Sequence, residues 1–210
     1  MAFVLIGCQK DPHNTKLSGM VFGTSYGIIY DAETNYQPHI DSLFQVINNS
    51  MSTYQLDSDI SRLNRNEHNE VDQHFINVFD ASKRFYEETA GVFDPTIGTL
   101  VNAFGFGPEE ELAKLDSLKI DSLKQFVGLD KVYRADHFII KKYPQTFIDF
   151  NAIAKGYAVD VVAEYLEDQG CSNYLVEIGG EIRSKGLNLV KQAPWAVGID
   201  APNFDGSQSV

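Results

Sequence analysis

The sequence predicts an α+β fold in which mixed or antiparallel sheets pack against helices. Two observations carry that expectation. Stretches with apolar residues at i, i+3, i+4 and i+7 alternate irregularly with short β-branched and aromatic runs. The regular strand–helix alternation of a doubly wound parallel sheet is missing. The 210 residues are also 43% hydrophobic and 22% charged, enough to bury one sizeable core, or one core with a smaller satellite.

Taken in order, Lys10 to Ser18 is polar and contains Pro12, so residues 1–18 read as a leader remnant and tether and residues 19–210 as the folded domain. Val21 to Tyr30 mixes β-branched and aromatic residues and predicts a first strand turning at Asp31. Pro38 opens a helix whose inner face is Ile40, Leu43, Phe44 and Ile47. Asp72 is placed to cap a second helix with Phe75, Val78, Phe79 and Tyr86 facing inward, ending at Gly91. Phe93 to Pro108 is rich in Gly and Pro and reads as a shaped loop. Leu112 to Phe126 has helical period, and Phe138–Ile140 and Thr146–Phe150 read as short strands. Ala152 to Gln169 predicts a helix burying Ala158, Val161, Val162, Tyr165 and Leu166. Tyr174–Ile178 and Trp195–Ile199 read as further strands. No repeat of fixed period and no low-complexity tract is present.

The formal net charge of -12 opposes binding to nucleic acid, which depends on Lys and Arg displacing counterions from phosphates. A phosphorylated ligand remains possible where a local cation, a metal ion or a helix N-terminus offsets its charge. Cys8 and Cys171 are too few for a disulfide framework and lack the paired spacing of a structural zinc site. The run Ala2 to Cys8, with Leu5 at −3 and Gly7 at −1, looks like the end of a bacterial lipoprotein signal; the alternative is a frayed apolar end with a free thiol. The first reading places a lipid anchor at Cys8 and the mature protein in the bacterial cell envelope, facing the periplasm. The five His residues, His13, His39, His68, His74 and His137, show no metal spacing and read as surface or satisfied residues.

Chemistry concentrates in five segments. In Asp149-Phe150-Asn151-Ala152-Ile153-Ala154-Lys155-Gly156, an acidic residue ends an apolar run, small residues form a turn, and Lys155 enters a helix. That arrangement sets backbone N–H groups and a positive helix end beside one ammonium, a seat for a pyrophosphate. The plainer reading is a strand-to-helix turn with a solvated Lys. Phe93-Asp94-Pro95-Thr96 leads to Phe104-Gly105-Phe106-Gly107, where aromatics in a glycine-rich loop can cover a planar ring or simply plug the surface. Met51-Ser52-Thr53-Tyr54 precedes Asp57-Ser58-Asp59-Ile60-Ser61-Arg62-Leu63-Asn64; Tyr54 has an apolar ring and polar tip suited to a pocket, and Asp57 to Ser61 suits a turn and helix cap. Phe22-Gly23-Thr24-Ser25-Tyr26 and Glu177-Ile178-Gly179-Gly180-Glu181-Ile182 complete the set.

These segments, in this order, resemble the motifs of the FAD:protein FMN transferases, the ApbE-type flavin transferases. The resemblance covers about Phe22 to Asp200 and implies a flavin-transferase (ApbE-like) fold. It implies that Asp149 and Lys155 contact FAD, with Lys155 catalytic in offsetting phosphate charge, and that the backbone carbonyl of Ala152 ligates Mg. It also implies that Phe22, Tyr54, Phe104, Gly105 and Phe106 line the flavin pocket; Phe22 stands where the family has Met, and Phe104 where many members have Trp. The implied reaction is Mg-dependent transfer of FMN from FAD to a Thr or Ser hydroxyl of an acceptor flavoprotein subunit, releasing AMP. Family members continue past the Trp195–Ile199 region with further Mg ligands, so the expectation is a C-terminally incomplete domain. The alternatives are an FAD-binding module without turnover and a lipid-anchored binding or structural protein.

Overall fold

The computed structural model describes residues 14–109 and 115–199. In chain order it contains β1 Thr15–Val21, β2 Thr24–Tyr30, α1 Gln37–Met51, α2 Asp59–Asn64, α3 Gln73–Glu88, α4 Gly98–Ala103, α5 Ser117–Lys124, β3 Val132–Ala135, β4 Phe138–Lys141, α6 Ala154–Asp168, β5 Tyr174–Ile178 and β6 Glu181–Lys185. Two short strands follow, β7 Leu187–Asn188 and β8 Ala193–Pro194. The main sheet has four strands in the order β1-β2-β5-β6, all antiparallel. The fold is α+β, as the pattern predicts.

Period-two alternation explains how the sheet meets the helices. Tyr26, Ile28 and Tyr30 of β2 lie opposite Ile178, Val176 and Tyr174 of β5, and all six are buried. Ile40, Phe44 and Ile47 of α1 and Ala158, Val162 and Leu166 of α6 belong to the same core. Fully burying one such aliphatic or aromatic side chain contributes about 1.5 to 3 kcal/mol, so the β2–β5 face and its two helices hold much of the stability. Pro38 sits in the first turn of α1, where its missing N–H costs nothing. The Asp72 carboxylate caps α3 by accepting from the Phe75 N–H at 2.8 Å. Ser58 caps α2 through the Ser61 N–H at 3.1 Å, within the predicted capping stretch.

Several expectations need correction. The run read as one strand over Val21–Tyr30 is two, because Phe22 and Gly23 form a tight turn between β1 and β2. β1 begins at Thr15, so the polar end of the expected tether, residues 15–18, pairs with β2. Within the presumed loop of 93–108, Gly98–Ala103 is a helical turn and a half. Residues 146–150 form no strand; their one bridge joins Phe147 to Ile97. Trp195–Ile199 is irregular, with the Trp195 indole donating to the Lys185 carbonyl at 2.9 Å. β6 was not foreseen, since Glu181, Arg183 and Lys185 give it a polar face. The expected helix over Leu112–Phe126 is seen as Ser117–Lys124; its first residues, like Cys8 and His13, lie outside the described residues.

Polar clamps fix the irregular segment that leads into α6. The buried Asn64 amide donates to the Ile148 carbonyl and accepts from the Ile148 N–H, both at 2.8 Å. The Lys141 ammonium donates to the carbonyls of Asn64, Pro144 and Thr146, and burial pulls its pKa down to about 8. Asp149 N–H donates to the Pro95 carbonyl at 2.8 Å. Residues 146–150 are therefore held from two sides without belonging to a strand. Among the described residues no helix is long and apolar enough to cross a membrane.

Candidate functional site

A cavity of about 650 Å³ opens where three elements meet. The β1–β2 turn contributes Phe22 and Gly23; the last turn of α1 and the chain after it contribute Ile47, Asn48, Met51, Ser52, Tyr54 and Gln55; the start of α6 contributes Asn151, Ala154 and Lys155. Its size falls in the range of small-molecule sites, and its wall is chiefly apolar with a few polar groups and one ammonium.

Phe22 and Gly23 both have positive φ, 50° and 75°, the signature of a two-residue hairpin turn matched to the strand twist. A bulky residue in this region costs about 1 to 2 kcal/mol, offset here by packing of the Phe22 ring edge-on against Phe44 at 5.6 Å. The turn fixes an aromatic wall. Tyr54 also lines the cavity and is 65% exposed.

The α6 side is built from the turn upward. Asp149 is buried, and its carboxylate accepts from the Asn151 N–H at 2.6 Å and the Asn151 side-chain amide at 3.1 Å. Burial raises its pKa above the ordinary carboxylate value, and the two bonds from Asn151 work against that rise. Asp149 thus holds the turn, while its bonded neighbour Asn151 reaches the cavity. The N-terminus of α6 has no side-chain cap and no acid in its first turn. Among the described residues no backbone carbonyl accepts from the Lys155 or Gly156 N–H groups, which leaves the positive helix end available to an anion. The Lys155 ammonium lies 3.1 Å from Glu181 Oε2 and 3.5 Å from the Gly179 carbonyl.

Of the residues singled out in the sequence, Phe22, Tyr54 and Lys155 meet in one cavity. Asp149 stands behind it through Asn151, and Ala152 lies in the same turn without lining the cavity. Phe104, Gly105 and Phe106 do not line it: they follow α4, with Phe104 and Phe106 49% and 80% exposed. Ile47, Asn48, Met51, Gln55 and Asn151 were missed. The available signal was positional, since the buried stripe of α1 runs directly into the Ser52–Tyr54 motif.

A metal centre is not assembled here. Among the described residues no group of three or more His, Cys, Asp and Glu is placed to hold an ion. Among the described residues the Ala152 carbonyl accepts no backbone hydrogen bond, yet a lone carbonyl does not make a site for a hard cation. The residues present do not by themselves fit Mg. They do fit an aromatic diphosphate, with aromatic rings in the wall and a cation at a helix end.

Comparison with known proteins places the chain in a family and matches its fold. The ApbE family model matches residues 22–210. An FAD:protein FMN transferase of Vibrio cholerae is 38% identical over 214 residues, covering 96% of this chain and 63% of that protein. One from Haemophilus influenzae is 37% identical over 226 residues, covering 100% of this chain and 65% of that protein. Among solved structures, the flavin transferase ApbE from Vibrio cholerae superposes with a TM-score of 0.85 at 36% identity, over 94% of this chain and 67% of that one. The apo form of the Pseudomonas stutzeri flavinyl transferase ApbE gives a TM-score of 0.82 at 25% identity, over 90% of this chain and 66% of that one. The chain spans just under two thirds of the length of the curated relatives it matches.

Proposed function

Because the chain belongs to the ApbE family, we propose that it acts as, or within, an FAD:protein FMN transferase. The observation that carries this reading is the cavity that joins Phe22 and Tyr54 to Lys155 on an uncapped helix N-terminus. In the proposed reaction a Thr or Ser hydroxyl of an acceptor flavoprotein attacks the phosphorus of the FMN half of FAD. A P–O bond to the acceptor forms, the pyrophosphate P–O bond to AMP breaks, and the hydroxyl proton is lost to the medium. Lys155 and the free N–H groups at the start of α6 offset the charge of the diphosphate, and their fixed placement orients it for displacement. Phe22 and Tyr54 provide apolar wall for the ring systems, while Asp149 keeps the turn in shape through Asn151. Phe104, Gly105 and Phe106 are proposed to meet the flavin from outside the cavity wall.

Mg dependence belongs to the proposal through the family resemblance, with the Ala152 carbonyl as one ligand; no step is assigned to the ion, since the described residues do not complete its site. That same observation supports a second reading, an FAD-binding module without turnover. The lipoprotein-like run ending at Cys8 supports a lipid-anchored place in the envelope, facing the periplasm, which mass spectrometry of the intact protein would test through the mass added at Cys8.

The decisive assay follows AMP released from FAD, with and without Mg and with an acceptor protein. The transferase reading expects Mg-dependent AMP release that disappears in Lys155→Ala. FAD bound without AMP release supports the module, and absence of FAD binding defeats both.

A further inference from the structure

The one ammonium that lines the cavity among the described residues is already engaged. Lys155 Nζ sits 3.1 Å from Glu181 Oε2, with the two side chains 33% and 40% exposed. The geometry is an ion pair without hydrogen-bond alignment, for the same Oε2 is shielded from solvent and makes no hydrogen bond. Glu181 also stands on a rigid support. It is the first residue of β6, directly opposite Ile178 across the β5–β6 turn. Gly179 and Gly180 form that turn with φ of 56° and 94°, and the Glu177 carboxylate accepts from the Gly180 N–H at 2.7 Å. Gly179 N–H donates to the Ser25 carbonyl at 3.0 Å, tying the turn to β2. Lys155 has a flexible stem; the carboxylate it meets is anchored to the main sheet.

This arrangement rests on the proposed FAD site and adds a residue to it. We propose that Glu181 is a positioning residue: it holds the Lys155 ammonium at the cavity edge, and a bound diphosphate must draw that ammonium away from it. Glu181 thereby sets how tightly the site holds a charged ligand. A carboxylate paired with the one cation that lines the cavity among the described residues weakens anion binding by occupying the ammonium that the phosphates need. In exchange it fixes Lys155 at the cavity edge before a ligand arrives and favours departure of an anionic product afterwards. A purely structural ion pair would lack this ligand-charge dependence.

The test uses the whole chain and two probes, FAD and riboflavin, which share the flavin ring but differ in phosphate charge. Flavin fluorescence gives the dissociation constant of each for the wild type, Glu181→Gln and the Lys155→Ala/Glu181→Gln double variant, with Lys155→Ala alone closing the cycle. Gln keeps the shape of Glu and removes its charge, and thermal unfolding checks that the variant is folded. Glu181→Gln is expected to tighten FAD binding by about twofold to fivefold, the range of a partly exposed ion pair, and to leave riboflavin binding unchanged. The gain is expected to vanish when Lys155 is already Ala. FAD affinity that stays the same or falls in Glu181→Gln would overturn the proposal. So would an equal change for riboflavin, or a gain that persists without Lys155. Failure of the wild type to bind FAD would instead refute the site itself.

Discussion

Two motif-bearing regions differ in how they are held. The turn from Asp149 to Lys155 is clamped by Asn64 through Ile148, by Pro95 through the Asp149 N–H, and by the buried Phe150 ring packed 4.9 Å from Phe75. The loop from Phe104 to Phe106 is held by local backbone bonds to Leu100, Asn102 and Val101, and it presents two aromatic rings to solvent. The first region is preorganised by the core, so mutations behind it should cost stability as well as binding. The second carries little of the fold, and its rings are free to meet the flavin that the proposed function places beside them. A motif can therefore be built into the core at one position and stand outside it at another.

The sharpest break in this contrast should come from Asn64→Ala. It leaves the buried Ile148 N–H and carbonyl without partners, and a loss of about 2 to 5 kcal/mol is expected in urea unfolding, with weaker FAD binding in the remaining folded protein. Gly179→Ala comes next. A Cβ there would lie 2.6 Å from Thr24 Cγ2 on a backbone with φ of 56°, and about 1 to 3 kcal/mol of destabilisation is expected, read as a lower midpoint at unchanged slope. Phe106→Ala should move stability least, by less than about 0.5 kcal/mol, because the ring is exposed. It should nevertheless weaken FAD binding by about twofold to tenfold if the ring meets the flavin. A large loss of stability in Phe106→Ala would erase the distinction between the two regions.

What the sequence revealed follows the same division. The buried stripe of α1, the Asp72 cap, the strand Tyr174–Ile178 and the turn into α6 were legible because period, capping chemistry and small residues are local signals. The break at Phe22-Gly23 was hidden, since Phe is an unusual residue for a left-handed turn position. Residues 146–150 read as a strand because they are apolar and bounded by turns; their bonds go instead to the Asn64 side chain and to Pro95, partners far away in sequence. The same distance concealed Glu181. Its motif was visible, whereas its pairing with Lys155 depends on how β6 lies beside α6. Asn48 and Gln55 carry no distinguishing pattern and became site residues only through the packing of α1 against α6.

The central claim is that the cavity at the start of α6 binds FAD and that Lys155 holds its diphosphate. Titration of FAD with the wild-type chain and with Lys155→Ala, followed by flavin fluorescence at matched ionic strength, tests it most directly. The expected result is saturable binding by the wild type, weakened about tenfold or more in a folded Lys155→Ala variant. Equal affinity in the two proteins would contradict the assignment and place the flavin elsewhere on the molecule.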